Sequence, residues 1–159
     1  VAREVLSSTD VRLVNCTSFE LEKDKTYEAA ISHFVAHVVG DLSGFFESVG
    51  QHLEKNSHFI FSIPHPCFYN EYKAFFGDEY NYMVPITKNV SFTITKDSEN
   101  EIRDVPYHHR PLSDYFNTLV KSGFAIDRFD EIYPDDEIQE KYGNRWKTPR
   151  YCVFTCKKL

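Results

Sequence analysis

Apolar and polar positions alternate in several short stretches of this chain and recur at three and four residues in two longer ones. Val11-Arg12-Leu13-Val14-Asn15 alternates and predicts a strand. Glu22 to Lys25 is polar and predicts a surface loop. Tyr27-Glu28-Ala29-Ala30-Ile31-Ser32 is a short apolar run suited to a buried strand, although its two alanines favour helix. Asp41 then predicts a helix N-cap. Leu42, Phe45, Phe46, Val49 and Leu53 follow on one helical face. Lys55-Asn56-Ser57 predicts a turn, and His58 to Ile63 a second buried strand stopped by Pro64. A strand, a helix and a strand joined this way imply a right-handed parallel crossover.

Residues 66–110 break this rhythm. Phe68, Tyr69, Tyr72, Phe75, Phe76, Tyr80 and Tyr82 mix with polar residues without a helical period. Val90 to Thr95 alternates like a strand, Asp97-Ser98-Glu99-Asn100 reads as a turn, and Ile102 to Tyr107 is placed to pair back as a hairpin. This segment is expected to be an inserted cap or lid. Pro111 suits the first position of a helix whose apolar face is Leu112, Tyr115, Phe116, Leu119 and Val120. Gly123 closes that helix as a left-handed cap residue. Phe124 to Phe129 reads as a strand, Asp135 to Tyr142 as a charged, weakly helical excursion, and Tyr151 to Cys156 as a final strand that is free to pair antiparallel.

Composition narrows the class. The 159 residues suit one domain, and the 42% hydrophobic and 26% charged content excludes wholesale disorder. Aromatics reach 16%, enough to fill a core or line a pocket with rings. The net charge of −6 argues against a nucleic-acid partner. No apolar run approaches the ~18 residues of a membrane span, and no signal peptide opens the chain. Cys16, Cys67, Cys152 and Cys156 do not form a disulfide scaffold; Cys152 and Cys156 lie too far apart on one strand to bridge. A reducing, cytoplasmic setting is expected. The chain opens at Val1 on helix-like sequence, which suggests part of a longer or trimmed product, whereas Cys156 to Leu159 reads as a natural finish.

Five segments in order resemble the back two-thirds of a class I S-adenosylmethionine-dependent methyltransferase. Tyr27 to His33 resembles the family's fourth strand and the loop after it. Asp41-Leu42 with Phe45-Phe46 and Leu53 resembles the next helix. Phe59-Ile60-Phe61-Ser62-Ile63-Pro64-His65-Pro66 resembles the fifth strand. His109 to Tyr115 followed by Ser122-Gly123-Phe124 resembles the sixth unit, and Pro149-Arg150-Tyr151 to Lys157 the seventh strand. The resemblance implies an α/β fold: a Rossmann-like methyltransferase sheet, partly parallel, with an antiparallel final strand, an inserted β-hairpin cap and its first strands missing. Residues 1–159 then form a single partial domain.

The departures are specific. The six glycines, at 40, 44, 50, 77, 123 and 143, include no G-x-G, so the family's cofactor loop is absent. The acidic residue that binds the ribose is absent too, and Ala2-Arg3-Glu4 resembles the helix just after it. Thr17 stands where the family often has Asp, and Asn56-Ser57 replaces a Gly-Gly. The implied cofactor is S-adenosylmethionine, bound weakly or not at all by the isolated chain. The implied reaction is methyl transfer to a small-molecule acceptor.

The resemblance assigns Thr17, Ser18, Ser32, His33 and Phe34 to the donor. His65, between two prolines past a strand end, reads as a general base or as a histidine tied to a backbone carbonyl. His109 is a second catalytic candidate. Arg110 reads as a clamp on an anionic substrate group or as a bridge to a surface carboxylate, and Tyr107 as lid wall or core. His33 and His37 are four apart, but no third ligand is evident and no metal is expected. Two rivals stand beside this reading. One is a non-catalytic binding or dimerisation module, a homodimer or a chain whose sheet a partner completes. The other is a different α/β enzyme using His65 and His109 as acid and base.

Overall fold

The structure, a computed structural model, describes residues 4, 6, 8–22, 24–70, 74–93, 101–142 and 147–159. The expected opening helix at Val1 to Leu6, Tyr72, the end of the Val90 to Thr95 run and the turn at Asp97 to Asn100 lie wholly or partly outside these residues. Six strands are present among the described residues: β1 (Tyr27–His33), β2 (Leu53–Pro64), β3 (Ile86–Thr93), β4 (Glu101–His109), β5 (Phe124–Ile132) and β6 (Tyr151–Lys158). Three α-helices accompany them: α1 (Leu42–Gln51), α2 (Leu112–Lys121) and α3 (Asp136–Tyr142).

The main sheet has the order β1-β2-β6-β5. β1 and β2 are parallel, with His33 opposite Ser62. β6 lies between β2 and β5 and is antiparallel to both, as the last strand was expected to be. Asp41 caps α1 by accepting a hydrogen bond from the Gly44 amide at 2.9 Å. Leu42, Phe45 and Phe46 then turn into the core at the spacing the sequence predicts. α2 begins at Leu112, after Pro111, and Gly123 leaves it at φ +83°, a region that favours glycine. Phe59, Phe61 and Ile63 of β2 and Cys152, Phe154 and Cys156 of β6 point to the same side. There they pack with Phe46, Tyr115 and Leu119 from the two helices. The opposite face carries Ile31, Ile60 and Ile132, which are all exposed.

β3 and β4 form a separate two-stranded antiparallel sheet, the expected hairpin within residues 66–110. It has a small core of its own, in which Phe76, Val90 and Tyr107 are buried against Tyr69, Phe75 and Phe92.

Two expectations are corrected. Val11 to Asn15 forms no strand, because among the described residues no strand pairs with it, and alternation alone supplies no ladder. Lys55-Asn56-Ser57 is not a turn between elements. It lies inside β2, where Tyr27 pairs with Leu53 but Ala29 with His58, so the three residues bulge out of register. Asn56 adopts φ +70° there, a conformation asparagine tolerates better than most residues.

Candidate functional site

The carboxyl ends of β1 and β2 lie side by side, and β6 enters beside them, with Pro64 opposite Tyr151. In open sheets this rim is where ligands collect. Phe34 leaves β1 at φ +55°, a costly conformation for a bulky residue, and its amide donates to the Ser62 carbonyl at 3.0 Å. His33 Nδ1 is 2.6 Å from Ser62 Oγ. The Phe34 ring lies 5.0 Å from Tyr151 and 4.0 Å from His33, centroid to centroid. A cavity of about 280 Å³ opens here, lined by Ser32, His33, Phe34, Ser62 and Tyr151 and running onto Ile31 and Ile60. Ser32 Oγ is buried with no hydrogen-bond partner among the described residues.

The loop after Phe34 is held from the hairpin side. Arg110 donates to the carbonyls of Val39 at 2.6 Å, Gly40 at 2.8 Å and Ala36 at 3.3 Å. The His108 amide donates to the His37 carbonyl at 2.8 Å. A loop that leaves a sheet has carbonyls without ladder partners, and a guanidinium carries five donors to satisfy them. Arg110, expected as a clamp on a substrate anion or a bridge to a surface carboxylate, thus puts three of its donors on the β1 loop.

His65 and His109 are brought near the site but not into it. The His65 ring is 1% exposed, its Nε2 lies 2.8 Å from Glu131 Oε1, and the Cys67 amide donates to its Nδ1 at 3.2 Å. With Nδ1 accepting, Nε2 carries the proton and donates to Glu131. Burial pulls the His65 pKa down and outweighs the Glu131 carboxylate, which raises it. Both nitrogens are engaged, so no acceptor reaches this ring as a base in the present arrangement. His109 is buried as well, with Nε2 donating to the Tyr82 carbonyl at 3.0 Å, and its pKa is lowered mainly by burial. Tyr107 is buried between the hairpin and the β1 loop, and burial holds its hydroxyl well above the usual phenol range.

Thr17 and Ser18 are not on a strand end. Thr17 precedes a 3₁₀ turn (Ser18–Glu20), and its amide and hydroxyl both donate to Glu20 Oε2, at 2.8 and 3.0 Å. That turn packs against α1. Of the five residues assigned to the donor, Ser32, His33 and Phe34 share the rim cavity.

Sequence reasoning missed Tyr151 as a site residue, and named His37 only for its spacing and Tyr69 only as one ring of the insertion. The His37 ring lies 4.9 Å from Tyr107, and Tyr69 lies 6.1 Å from Tyr151. The available signal was an aromatic-rich insertion facing two strand ends.

No protein-family profile matches the chain, and no curated protein matches it in sequence. Solved structures do match in fold. An S-adenosylmethionine-dependent methyltransferase from Mesorhizobium loti superposes with a TM-score of 0.64 at 21% identity, over 99% of this chain and 75% of its own. A Listeria monocytogenes protein described as such a methyltransferase gives 0.64 at 21%, over 89% of this chain and 66% of its own. The Burkholderia thailandensis 1,6-didemethyltoxoflavin-N1-methyltransferase, solved with 1,6-didemethyltoxoflavin and S-adenosylhomocysteine, gives 0.61 at 12%, over 99% and 56%. The chain thus spans between about half and three quarters of these proteins. With a mixed sheet, an antiparallel last strand and an inserted hairpin, it has the Rossmann-like α/β fold of the S-adenosylmethionine-dependent methyltransferases.

Proposed function

We propose that this chain forms the acceptor-facing part of an S-adenosylmethionine-dependent methyltransferase acting on a small molecule. What supports the reading above all is the likeness of fold across nearly the whole chain, with the rim cavity at the carboxyl ends of β1 and β2. The residues there fit the sulfonium end of the donor. Phe34 and Tyr151 offer aromatic faces, and Ser32 Oγ is a buried polar atom still to be satisfied. The nucleoside end finds no glycine-rich loop, since the sequence has no G-x-G.

When bound, the donor supplies a methyl group on a positively charged sulfur for in-line displacement by the acceptor. The chain's own part is positioning. Arg110 fixes the loop that carries Phe34, and the hairpin holds the same loop through the His108 amide, which donates to the His37 carbonyl. His33 lines the cavity and is exposed, so it is the histidine placed to take a proton from an acceptor.

Titrating the chain with S-adenosylmethionine and following amide and aromatic NMR signals tests this. Binding is expected in the millimolar range, about −4 kcal/mol, with shifts centred on Ser32, Phe34 and Tyr151. Silence at those signals at millimolar donor removes the donor reading. Single-digit micromolar affinity removes the claim that the nucleoside half of the site is missing here.

A second reading, a non-catalytic module of the same fold that pairs with a further chain or a second copy, is favoured by Ile31. It is 80% exposed on β1, one of the two edge strands of the described sheet. Light scattering is expected to give a mass above that of one chain if this holds; a monomer that melts cooperatively counts against it.

A further inference from the structure

The chain carries two halves of a strand pair that do not meet. Val11 to Asn15 alternates apolar and polar residues, and all five are exposed, Val11 by 53% and Val14 by 50%. Among the described residues its backbone makes no hydrogen bond to other backbone groups. β1 is the other half, an edge of the main sheet with a row of backbone donors and acceptors left open. The far edge, β5, is blunted as natural edges are. It carries Asp127, Arg128, Asp130 and Glu131, and its ladder shifts register between Ile126 and Arg128. β1 has one acidic residue, Glu28, no lysine, arginine or proline, and it exposes Tyr27 and Ile31.

We propose that β1 of one copy of this chain takes Val11 to Asn15 of a second copy as a parallel fifth strand, and that the exchange is reciprocal in a twofold dimer. This pairing names the partner left open in the second reading above, on which it rests. Charge sets the register. Glu28 is exposed and has no ion pair among the described residues. Arg12 is the one charged residue of the segment, and its contact with Glu22 is 3.4 Å long between exposed side chains. Arg12 opposite Glu28 puts Val11 on Tyr27, Leu13 on Ala29, Val14 on Ala30 and Asn15 on Ile31, so all five positions fall on β1. An antiparallel strand with the same ion pair would carry Val14 and Asn15 past Tyr27, where β1 begins.

The faces agree as well. Successive residues of a strand point to opposite sides, so Val11 and Leu13 join the open face of the sheet beside Ile31. Val14 falls on the other side next to Ala30, which packs against the main core. Ala29 and Ala30 are small, which leaves space at the edge for Leu13 and Val14. The segment does not pair with its own β1. It runs into the 3₁₀ turn at Ser18–Glu20, and that turn packs against α1, on the core side of the sheet. Every copy therefore has one free segment and one free edge, and a twofold axis satisfies both at once and closes.

Sedimentation velocity of the full chain over a dilution series tests this, with no methyl donor present. A species of twice the mass of one chain is expected at the concentrated end. Arg12→Glu and Glu28→Arg are each expected to weaken the dimer about tenfold, since two like-charge contacts replace two ion pairs per dimer. The double variant R12E/E28R is expected to return to within about threefold of the wild type. Val14→Pro, in a segment that holds no ladder within one copy, is expected to abolish the dimer and leave the circular dichroism unchanged. A monomer at every concentration overturns this pairing and the second reading together. A dimer indifferent to Val14→Pro and to both charge reversals leaves the second reading standing and overturns the exchange. A dimer lost with Glu28→Arg but kept with Val14→Pro shows β1 pairing with some other element, and overturns it too. Failure of the double variant to recover overturns the register.

Discussion

Replacing Phe154 by alanine is expected to cost about 3–5 kcal/mol of folding stability. Phe154 is fully buried on β6, one of the two strands bonded on both sides in the main sheet. Its ring stacks on Phe61 of β2 at 4.6 Å and 2°, and meets Phe129 of β5 at 4.8 Å and Phe116 of α2 at 5.1 Å. One side chain thus joins three strands and a helix, and its removal leaves a cavity that rigid rings close poorly. A domain of this kind has about 5–15 kcal/mol in total, so the variant sits near its unfolding threshold. Urea unfolding followed by circular dichroism measures the loss. Val153→Ala, the adjacent residue on the opposite sheet face, is the control and is expected to lose less than about 1 kcal/mol. Equal losses at the two positions would contradict the one-sided core described above.

Acid is expected to weaken the fold through His37. Burial among Phe34 and Tyr107, with smaller contributions from Arg110 and His108, lowers its pKa from 6.5 to about 4. The unfolded chain binds the proton more readily, so stability falls as pH drops below about 6.5 and levels off below about 4. For His37 alone the loss at pH 5 is about 2 kcal/mol. His65, His108 and His109 are shifted in the same direction and add to the slope. Urea unfolding at pH 7 and pH 5 measures the whole effect, and His37→Gln is expected to flatten it. An unchanged slope in that variant would show that the ring is solvated in the native state.

The elements most legible in the sequence were those whose stabilising contacts are local or periodic. Asp41 caps α1 three residues away, Leu42, Phe45 and Phe46 share a face, and the alternation in β3 and β4 marks a hairpin. Less legible was whatever depends on a distant partner. Val11 to Asn15 alternates correctly but has no strand paired with it among the described residues. His65 reads as a general base or as a histidine tied to a backbone carbonyl until Glu131, 66 residues on, is seen beside its ring. Arg110 reads as a ligand clamp or as a bridge to a surface carboxylate, and nothing in its neighbourhood in sequence points to the carbonyls some seventy residues earlier that it binds. The site follows the same rule. That Ser32, His33 and Phe34 lie together was legible because they follow one strand end, while Tyr151 joins them through the register of β6 on β2 and Tyr69 reaches Tyr151 from the insertion.

Phe34 has one more consequence. Its backbone angle suits glycine, and glycine there would relieve the local torsion while deleting the ring that packs on His33 and Tyr151 in the wall of the rim cavity. Durability and recognition therefore pull in opposite directions at this single position. A screen for heat resistance alone would tend to erase the feature that a screen for ligand capture would keep.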